Sequence, residues 1–276
     1  MKQKFEIDKK IMNLAQTLEC GQIFSYQQNG AEFLIFSANH FARVTEKKDV
    51  YQVECTDKAY FENFFDLKID YEQIKARLRV DKNLEKAVEF GSGIRILRQD
   101  KLETIISFVI SANNNIARIR NSIRLLRENY GEQQSEFFAF PTLEKLTSLS
   151  EQEFLKLGVG YRAKQLVRLV QQLKDVDFEQ LESMQTQDLR KFLMQFSGVG
   201  PKVADCILLF AFSRLDVFPV DTWIEKVYNK YFGSLKNRNT ISNELVLRYG
   251  NLSGYAQQYL FFYARSLKIN KPLENK

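Results

Sequence analysis

Two short helical segments meet at a Gly-x-Gly turn in the stretch Leu193-Met-Gln-Phe-Ser-Gly198-Val-Gly200-Pro201-Lys202-Val-Ala-Asp205-Cys206. Glycine permits the positive φ angles and the close backbone approach that a tight turn requires. Pro201 suits the first position of the second helix, whose N-terminal N–H groups and dipole favour an anion. We therefore expect a helical hairpin that binds a phosphate through its backbone, with an ordinary helix–helix turn as the alternative.

A second informative segment, Phe218-Pro219-Val220-Asp221-Thr222-Trp223, follows the hairpin. Pro219 disfavours a helix at the residue before it, so a new helix should begin after it. Either Asp221 or Thr222 can cap that helix, and Thr222 with Glu225 has the spacing of a capping box. Capping is thus the structural alternative to a chemical role for Asp221, and a solvated surface lysine is the alternative for Lys202.

The first third of the chain has the pattern of a small antiparallel sheet. Asn29-Gly30 is a strong signal for a two-residue hairpin turn. A second pair of alternating segments flanks a polar turn at 46–49. The predicted strands are 24–27, 32–36, 41–45 and 50–55, followed by helix-like segments near 58–66 and 70–90.

After Gly91 the spacing of apolar residues is helical almost throughout. The predicted helices are 101–111, 116–130, 142–157, 162–173, 189–196, 203–212, 223–231 and 256–267. This change of period predicts an α+β fold, with an N-terminal antiparallel sheet domain over residues 1–90 and a mostly helical region over residues 91–276.

The composition excludes several kinds of catalytic site. The chain has 276 residues, 45% of them hydrophobic, and is long enough to bury a sizeable core. It has one histidine, His40, and three cysteines, Cys20, Cys55 and Cys206. One histidine cannot form a two-histidine metal site, and no cysteine pair has the C-x-x-C spacing of zinc or iron–sulfur ligands. We expect no metal and no cofactor, so lysine, carboxylate, tyrosine or hydroxyl groups should carry any chemistry.

Charge and the N-terminal sequence bear on partners and location. The net charge of +6 and the pI near 9.0 favour an acidic partner such as nucleic acid, although weakly. Three scattered cysteines indicate a reducing compartment, and the N-terminus lacks the apolar core of a signal peptide. No run of about 18 apolar residues is present to span a membrane. We expect a cytoplasmic monomer without a membrane partner, associated with the nucleoid if the source is a prokaryote.

The hairpin, its lysine and the later aspartate together resemble the helix-hairpin-helix DNA glycosylases, in which a Gly/Pro-rich loop is followed by an aspartate. In that family the lysine just after the hairpin is the nucleophile and the aspartate assists it. The resemblance therefore assigns these catalytic roles to Lys202 and Asp221. It also implies an active-site cleft between helical subdomains and, because the lysine is present, lyase activity.

Four further stretches resemble the 8-oxoguanine branch of this family. Cys20-Gly21-Gln-Ile-Phe24 is similar to its Cys/Ser-Gly-Gln-x-Phe segment, and Asn113-Asn114-Asn115 matches its triple-asparagine segment. Leu157-Gly-Val-Gly-Tyr161-Arg162-Ala matches its Leu-Gly-x-Gly-Tyr-Arg-Ala. Gly254-Tyr-Ala-Gln257-Gln-Tyr-Leu-Phe261 is similar to its Gly-Trp-Ala-Gln-x-x-Leu-Phe. The matches follow the family order over residues 17 to 261.

The resemblance implies a pocket for a flipped-out 8-oxoguanine. The lesion has a hydrogen on N7 where guanine has an acceptor, so a backbone carbonyl aimed at N7 favours the lesion. The resemblance implies that this carbonyl belongs to Gly21 and that Gln257 hydrogen-bonds the Watson–Crick edge of the base. It also implies that Phe261 and Cys206 contact the two faces of the ring. Without the resemblance, Phe261 would be assigned to the core, Cys206 to a small buried position and Gln257 to the surface.

The resemblance further implies a set of DNA contacts. Asn113 would fill the space left by the base, Arg118 and Arg162 would bond the orphaned cytosine, and Tyr161 would wedge beside it. Arginine offers several donors to the O2 and N3 acceptors of cytosine, so Arg118 predicts a preference for cytosine opposite the lesion. A solvated or phosphate-binding basic face is the alternative for both arginines. The remaining expected DNA contacts are Asn114, Gly198, Gly200 and Val203.

Two positions depart from the family pattern. Trp223 stands two residues after Asp221, where relatives commonly have histidine, and Pro201 replaces a residue that is often polar or small. Any contact that the histidine makes in relatives is therefore in doubt for this chain, although the indole N–H can still donate.

The expected function is that of a bifunctional repair enzyme, a DNA glycosylase and AP lyase. It would excise 8-oxoguanine opposite cytosine from duplex DNA through a Schiff base on Lys202, followed by β-elimination. Two alternatives remain at this point: a glycosylase for another damaged purine such as an alkylated one, and a non-catalytic DNA-binding hairpin protein.

Overall fold

The N-terminal part folds around a five-stranded antiparallel sheet with the strand order β1-β5-β4-β3-β2. The computed structural model describes residues 2–267. The strands are β1 Gln3–Asp8, β2 Tyr26–Asn29, β3 Glu32–Ser37, β4 His40–Glu46 and β5 Val50–Cys55. Asn29 pairs with Glu32 across a turn in which Gly30 has a φ of 61°. The expected hairpin is present, but its two turn residues are Gly30 and Ala31, because Asn29 is the last paired residue of β2.

Helices make up most of the remaining chain. The first group is α1 Leu14–Glu19, α2 Lys58–Phe64, α3 Tyr71–Leu78, α4 Lys82–Phe90, α5 Lys101–Ser111, α6 Ile116–Tyr130, α7 Leu143–Thr147 and α8 Glu151–Lys156. The second is α9 Arg162–Leu173, α10 Phe178–Ser183, α11 Thr186–Leu193, α12 Pro201–Ala211, α13 Thr222–Tyr231, α14 Arg238–Tyr249 and α15 Ser253–Ser266. The predicted α+β class is thereby confirmed.

Two predicted helices are each divided in the structure. The expected helix over 142–157 is α7 and α8, because Ser150 starts a new helix through a capping box with Glu153. The expected helix over 70–90 is α3 and α4, because the Asp81 side chain caps α4 by accepting from the N–H of Asn83. The sequence interpretation also missed β1, α1, α10 and α14.

Two apolar helices, α5 and α12, lie at the centre of the large helical core. Nearly all of their side chains are buried, and the rings of Phe108 and Phe210 stack with centroids 5.5 Å apart. Lys202 is in the first turn of α12 and so stands on one of the most firmly packed elements of the chain. The sheet has its own core, in which Phe33 and Val53 lie in one cluster with Phe61 of α2.

A buried ion pair joins the sheet to the helices. Oε1 of Glu103 in α5 lies 2.6 Å from Nη2 of Arg127 in α6, and both side chains are almost fully buried. Glu103 also accepts from the hydroxyl of Ser25 at 2.5 Å and from the N–H of Ala38 at 2.7 Å. Because Ser25 and Ala38 belong to the sheet part, one carboxylate fixes the sheet against two helices.

The domain boundary expected near residue 90 stays a prediction. Leu84 and Val88 of α4 precede that boundary, yet they pack in the large helical core. Residues 268–276 of the expected helical region lie outside the described residues. Within residues 2–267, no helix is long and apolar enough to cross a membrane.

Candidate active site

Helices α11 and α12 form the hairpin expected from the Gly-x-Gly turn. Gly198 has a φ of 84°, and a Cβ at this position would lie 2.8 Å from Cγ1 of Val109, so the turn requires glycine on both grounds. Gly200 precedes α12 without a side-chain capping bond, and Pro201 takes the first helical position. The N–H groups of the next two residues, Lys202 and Val203, therefore begin a helix in the arrangement that receives an anion.

Lys202 stands where a small cavity meets an open cleft. Its side chain is half-buried, and Nζ lies 5.3 Å from the centre of the Phe108 ring. The small cavity, which we call the base cavity, has a volume of about 50 Å³. The cleft has a volume of about 580 Å³, and its other lining residues include Asp205, Lys236 and Arg238. One amine thus borders both a small cavity and a larger cleft with charged walls.

Asp221 caps α13 and also lines the base cavity. Its Oδ1 accepts from the N–H groups of Trp223 at 2.9 Å and Ile224 at 3.0 Å. Those two bonds use one carboxylate oxygen, which leaves Oδ2 without a donor among the described residues. The same carboxylate shares the cavity wall with Lys202. The capping explanation is therefore correct for one oxygen and leaves the other available for chemistry.

The four residues expected to contact a base all line the base cavity. They are Gly21, Cys206, Gln257 and Phe261. They come from three separate parts of the chain: the turn after α1, helix α12 and helix α15. The fold thus brings the expected base-contact residues and the two expected catalytic residues to one small space.

Gln257 has an unused acceptor at this cavity. Its Nε2 donates a long bond of 3.4 Å to the carbonyl of Pro219, and its Oε1 is buried with no hydrogen-bond partner in the described chain. A buried carbonyl without a donor costs about 1–3 kcal/mol. The position therefore favours a ligand that supplies an N–H group to this oxygen.

Cys206 is a buried thiol next to the lysine. Burial raises its pKa to about 11, although the nearby Lys202 ammonium acts in the opposite direction. A thiol with so high a pKa stays protonated at neutral pH and is a poor nucleophile. Cys206 is therefore suited to an apolar contact and not to covalent chemistry.

The residues expected to contact the DNA strand opposite the lesion lie on two adjoining turns of the protein. Asn113 has a φ of 49°, a conformation that asparagine tolerates better than most residues. Arg162 is buried and donates to the carbonyl oxygens of Ala112, Asn113 and Val159. Its guanidinium lies 4.5 Å from the centre of the Tyr161 ring, and Tyr161 is 62% exposed. Arg162 thus joins the two turns, and most of its donors are engaged within the protein.

Two further expected residues of this face have simpler surroundings. Asn114 donates from Nδ2 to the carbonyl of Ile110 at 3.2 Å, which holds it against the end of α5. Arg118 is exposed in the first turn of α6. Of the two expected cytosine contacts, only Arg118 has its side chain presented to solvent in this conformation.

Several residues of the base cavity were not anticipated from the sequence. Cys20 and Gln258 are each next in sequence to a residue that was expected at the cavity, and this proximity was the available signal. The sequence contained no such signal for Phe108, Phe210 and Pro219, because the two rings lie among the many buried apolar side chains of α5 and α12. Within the described part of the chain, no group of three or more His, Cys, Asp or Glu side chains is placed to hold a metal ion.

Two protein-family models match the chain in succession. Residues 4–105 match the N-terminal domain of 8-oxoguanine DNA glycosylase. Residues 106–248 match the HhH-GPD superfamily of base excision DNA repair proteins. Together they span the sheet part, the hairpin and the lysine.

Individual proteins give the same result. A probable N-glycosylase/DNA lyase of Methanothermobacter thermautotrophicus is 33% identical over 249 residues, which covers 81% of this chain and 79% of that protein. The N-glycosylase/DNA lyase of Saccharomyces cerevisiae is 29% identical over 90% of this chain and 76% of its own length. The solved structure of Clostridium acetobutylicum 8-oxoguanine glycosylase/lyase, bound to duplex DNA with cytosine opposite 8-oxoguanine, superposes with a TM-score of 0.91. It is 33% identical, and the match covers 98% of this chain and 99% of that one.

Proposed function

The chain belongs to the 8-oxoguanine DNA glycosylase family of the HhH-GPD superfamily, and from this we propose that it excises 8-oxoguanine from duplex DNA and then cleaves the strand. It is an N-glycosylase and an AP lyase, and its partner is double-stranded DNA containing 8-oxoguanine. The assignment of individual residues to steps is our proposal. We include in it the expected monomeric state and cytoplasmic location.

One observation supports the assignment above all others. A single cavity is lined by an amine, a carboxylate with a free oxygen, and a buried amide oxygen without a donor: Lys202, Asp221 and Gln257. A base that enters this cavity places its Watson–Crick N–H groups at Gln257 while its sugar lies toward Lys202. A purely DNA-binding hairpin has no need for this convergence.

In the first step, the neutral amine of Lys202 attacks C1′ of the flipped nucleotide. The bond between C1′ and N9 breaks, and its electron pair leaves with the base, which then takes up a proton. The sugar carries positive charge as the bond breaks, and the Asp221 carboxylate stabilises that charge electrostatically. Because the α13 N–H groups hold Oδ1, the carboxylate is fixed before the reaction begins.

In the second step, the sugar ring opens and C1′ becomes a Schiff base on Lys202, a known role for lysine. Opening breaks the bond between C1′ and O4′, and O4′ takes a proton. Loss of a proton from C2′ then forms the C2′–C3′ double bond and expels the 3′ phosphate. The open cleft beside Lys202, with Lys236 and Arg238 on its wall, is where we place the sugar–phosphate backbone during this step.

Recognition of the lesion depends on Gly21 in this proposal. Its carbonyl accepts from the N7 hydrogen that 8-oxoguanine has and guanine lacks. An unmatched polar contact costs about 1–3 kcal/mol, which corresponds to roughly 5- to 150-fold discrimination. Phe261 and the protonated thiol of Cys206 supply the two apolar faces of the slot.

Opposite-strand recognition is assigned to Arg118 first. Its exposed side chain is free to reach the O2 and N3 atoms of an orphaned cytosine, with Asn113 filling the helix and Tyr161 beside it. Arg162 can contribute only after it releases some of its bonds to Ala112 and Asn113. Backbone contacts to phosphate are assigned to Gly198, Gly200 and Val203 at the hairpin, and Asn114 is expected to lie against the DNA.

The covalent step gives the decisive experiment. Purified protein is incubated with duplexes that carry 8-oxoguanine opposite each of the four bases, in the presence of borohydride. Reduction of the Schiff base should trap a protein–DNA adduct, most efficiently with cytosine opposite, and Lys202→Gln should trap none. Lys226→Gln is the matched control, because Lys226 is a helix lysine of α13 that does not line the base cavity.

Undiminished trapping by Lys202→Gln would disprove the assignment of the nucleophile. Trapping with alkylated purines but not with 8-oxoguanine would disprove the substrate and favour the other damaged-purine specificity. DNA binding without any adduct would favour the non-catalytic hairpin protein.

A further inference from the structure

The turn that contains Gly21 is held from outside by side chains. Gln258 donates from Nε2 to the carbonyl of Cys20 at 2.8 Å, and Arg265 donates from Nη2 to the carbonyl of Glu19. Gln99 donates from Nε2 to the carbonyl of Gln22 at 2.8 Å. Within the described chain, the carbonyl of Gly21 is the one in this run of four that receives no side-chain donor.

The two donors on α15 lie on the same side of the helix as Gln257 and Phe261, within an arc of about 100°. Gln257 and Phe261 are four residues apart and line the base cavity. Gln258 and Arg265 are seven residues apart, which is also close to a whole number of helical turns. One side of α15 thus meets both the base cavity and the turn that contains Gly21, and Gln258 lines the cavity as well.

Arg265 also links the turn to the ring that should stack on the base. Its guanidinium lies 5.5 Å from the centre of the Phe261 ring. Nη1 lies 3.1 Å from the position that a Cβ on Gly21 would occupy, and it is buried without a partner among residues 2–267. A shift of this guanidinium would therefore move both the turn and the ring.

We propose that Gln258 and Arg265 are positioning residues for lesion recognition. By bonding the carbonyls of Cys20 and Glu19, they fix the peptide planes that precede Gly21 and leave its own carbonyl as the free acceptor at the cavity. The inference rests on the proposed function, because it assumes that the Gly21 carbonyl reads N7 of the lesion. Gln258 lines the base cavity, but its Nε2 is engaged by the Cys20 carbonyl, so in this proposal both residues act through the turn.

The two activities of the enzyme separate this role from a general structural one. Excision of 8-oxoguanine requires the Gly21 carbonyl, whereas cleavage at a preformed abasic site requires Lys202 but no base recognition. Gln258→Met removes the amide donor while keeping the length of the side chain. We expect excision under single-turnover conditions to slow by about 3- to 10-fold, the effect of one lost hydrogen bond, with abasic-site cleavage unchanged.

Gln171→Met is the matched control. Gln171 in α9 makes the same kind of bond, from Nε2 to the carbonyl of Thr147 at 2.9 Å, on a part of the surface that lines neither the cavity nor the cleft. It should leave both activities unchanged. Arg265→Met supplies a second test at a half-exposed position in case Gln258→Met does not fold, and it should also slow excision selectively.

Equal slowing of excision and abasic-site cleavage by Gln258→Met, or no slowing of either, would overturn the inference. Arg265→Lys should slow excision less than Arg265→Met, because it keeps one donor for the Glu19 carbonyl; the reverse order would count against the role. If the wild-type protein does not excise 8-oxoguanine, the proposed function fails and the inference with it. If the wild-type protein excises 8-oxoguanine and the variants excise it at the same rate, the inference fails but the proposed function stands.

Discussion

Cε1 of Phe261 lies 2.8 Å from the position that a Cβ on Gly21 would occupy, so the ring rests directly on the glycine turn. The φ of Gly21 is 85°, a region that residues with a side chain rarely adopt. Both the conformation and the contact therefore require glycine at this position. The turn that carries the Gly21 carbonyl and the ring of Phe261 therefore pack directly against each other.

Gly21→Ala should abolish most excision of 8-oxoguanine. The substitution should cost about 1–2 kcal/mol for the left-handed backbone and should also displace Phe261. Gly30→Ala is the control, because Gly30 also has a positive φ but no atom lies within 4 Å of its hypothetical Cβ. Single-turnover excision and thermal unfolding are measured for both. Equal excision rates for the two variants would contradict the packing argument.

Asp221→Asn should separate capping from chemistry. Asparagine caps helices as well as aspartate does, so stability should change little. Loss of the negative charge should slow excision by about 100-fold or more, in the range found for other electrostatic stabilisers of transition states. Asp221→Ala should in addition lower stability by about 1 kcal/mol. An Asn variant that is destabilised but fully active would reverse these assignments.

The thiols at the base cavity should resist alkylation. Burial raises the pKa of both Cys20 and Cys206 to about 11, from 9.0, so each thiolate is about 100-fold scarcer than for a free thiol at pH 8. Because the folded pKa is raised, the stability that these thiols contribute is present below pH 9 and is lost as the pH rises toward 11. Mass spectrometry after iodoacetamide treatment, in native and unfolded protein at pH 8, measures the protection. Rapid native labelling of either cysteine would contradict it.

Glu103→Gln should destabilise the whole protein. It leaves the Arg127 guanidinium buried without its carboxylate, and removing one partner of such a pair costs about 3–5 kcal/mol. The exposed pair of Arg124 and Glu128 in α6 is the control, and Glu128→Gln should cost less than about 1 kcal/mol. Urea unfolding gives both free energies. Similar values for the two variants would show that the buried pair does not hold the sheet to the helices.

Arg118→Ala should weaken the preference for cytosine opposite the lesion. The exposed guanidinium has no other partner to lose among the described side chains, so stability should stay the same. Loss of a base-specific arginine contact corresponds to about 1–3 kcal/mol of discrimination. The ratio of excision rates opposite cytosine and opposite adenine should fall by about 5-fold or more. An unchanged ratio would shift opposite-base recognition to Arg162.

The helices near the active site could be predicted from the sequence because their signals are local. Helix α6 was predicted with the observed bounds, since Asn115 caps its start and Gly131 follows its end. The hairpin glycines and Pro201 likewise specify their turn through backbone geometry alone. The convergence of Lys202, Asp221 and Gln257 came from resemblance and not from spacing, because the three lie on separate elements.

The elements that were missed depend on contacts distant in sequence. Strand β1 is held by pairing with β5, about fifty residues away along the chain. Helix α14 has only three buried side chains, and Leu247 within it is 87% exposed, so its apolar periodicity is weak. The role of Gln258 could not be read from sequence either, because the carbonyl that it bonds belongs to Cys20, near the opposite end of the chain.

The base cavity is smaller than the base it is expected to receive. A volume of about 50 Å³ has room for one or two water molecules and not for a purine. A base that lies between Phe261 and Cys206 must therefore widen this cavity, and a normal guanine needs nearly the same space as the damaged base. Only a base that afterwards satisfies the Gln257 amide and the Gly21 carbonyl recovers the cost of widening it. Selection against normal guanine would therefore take place inside the cavity, after a base has entered and before the bond between C1′ and N9 breaks.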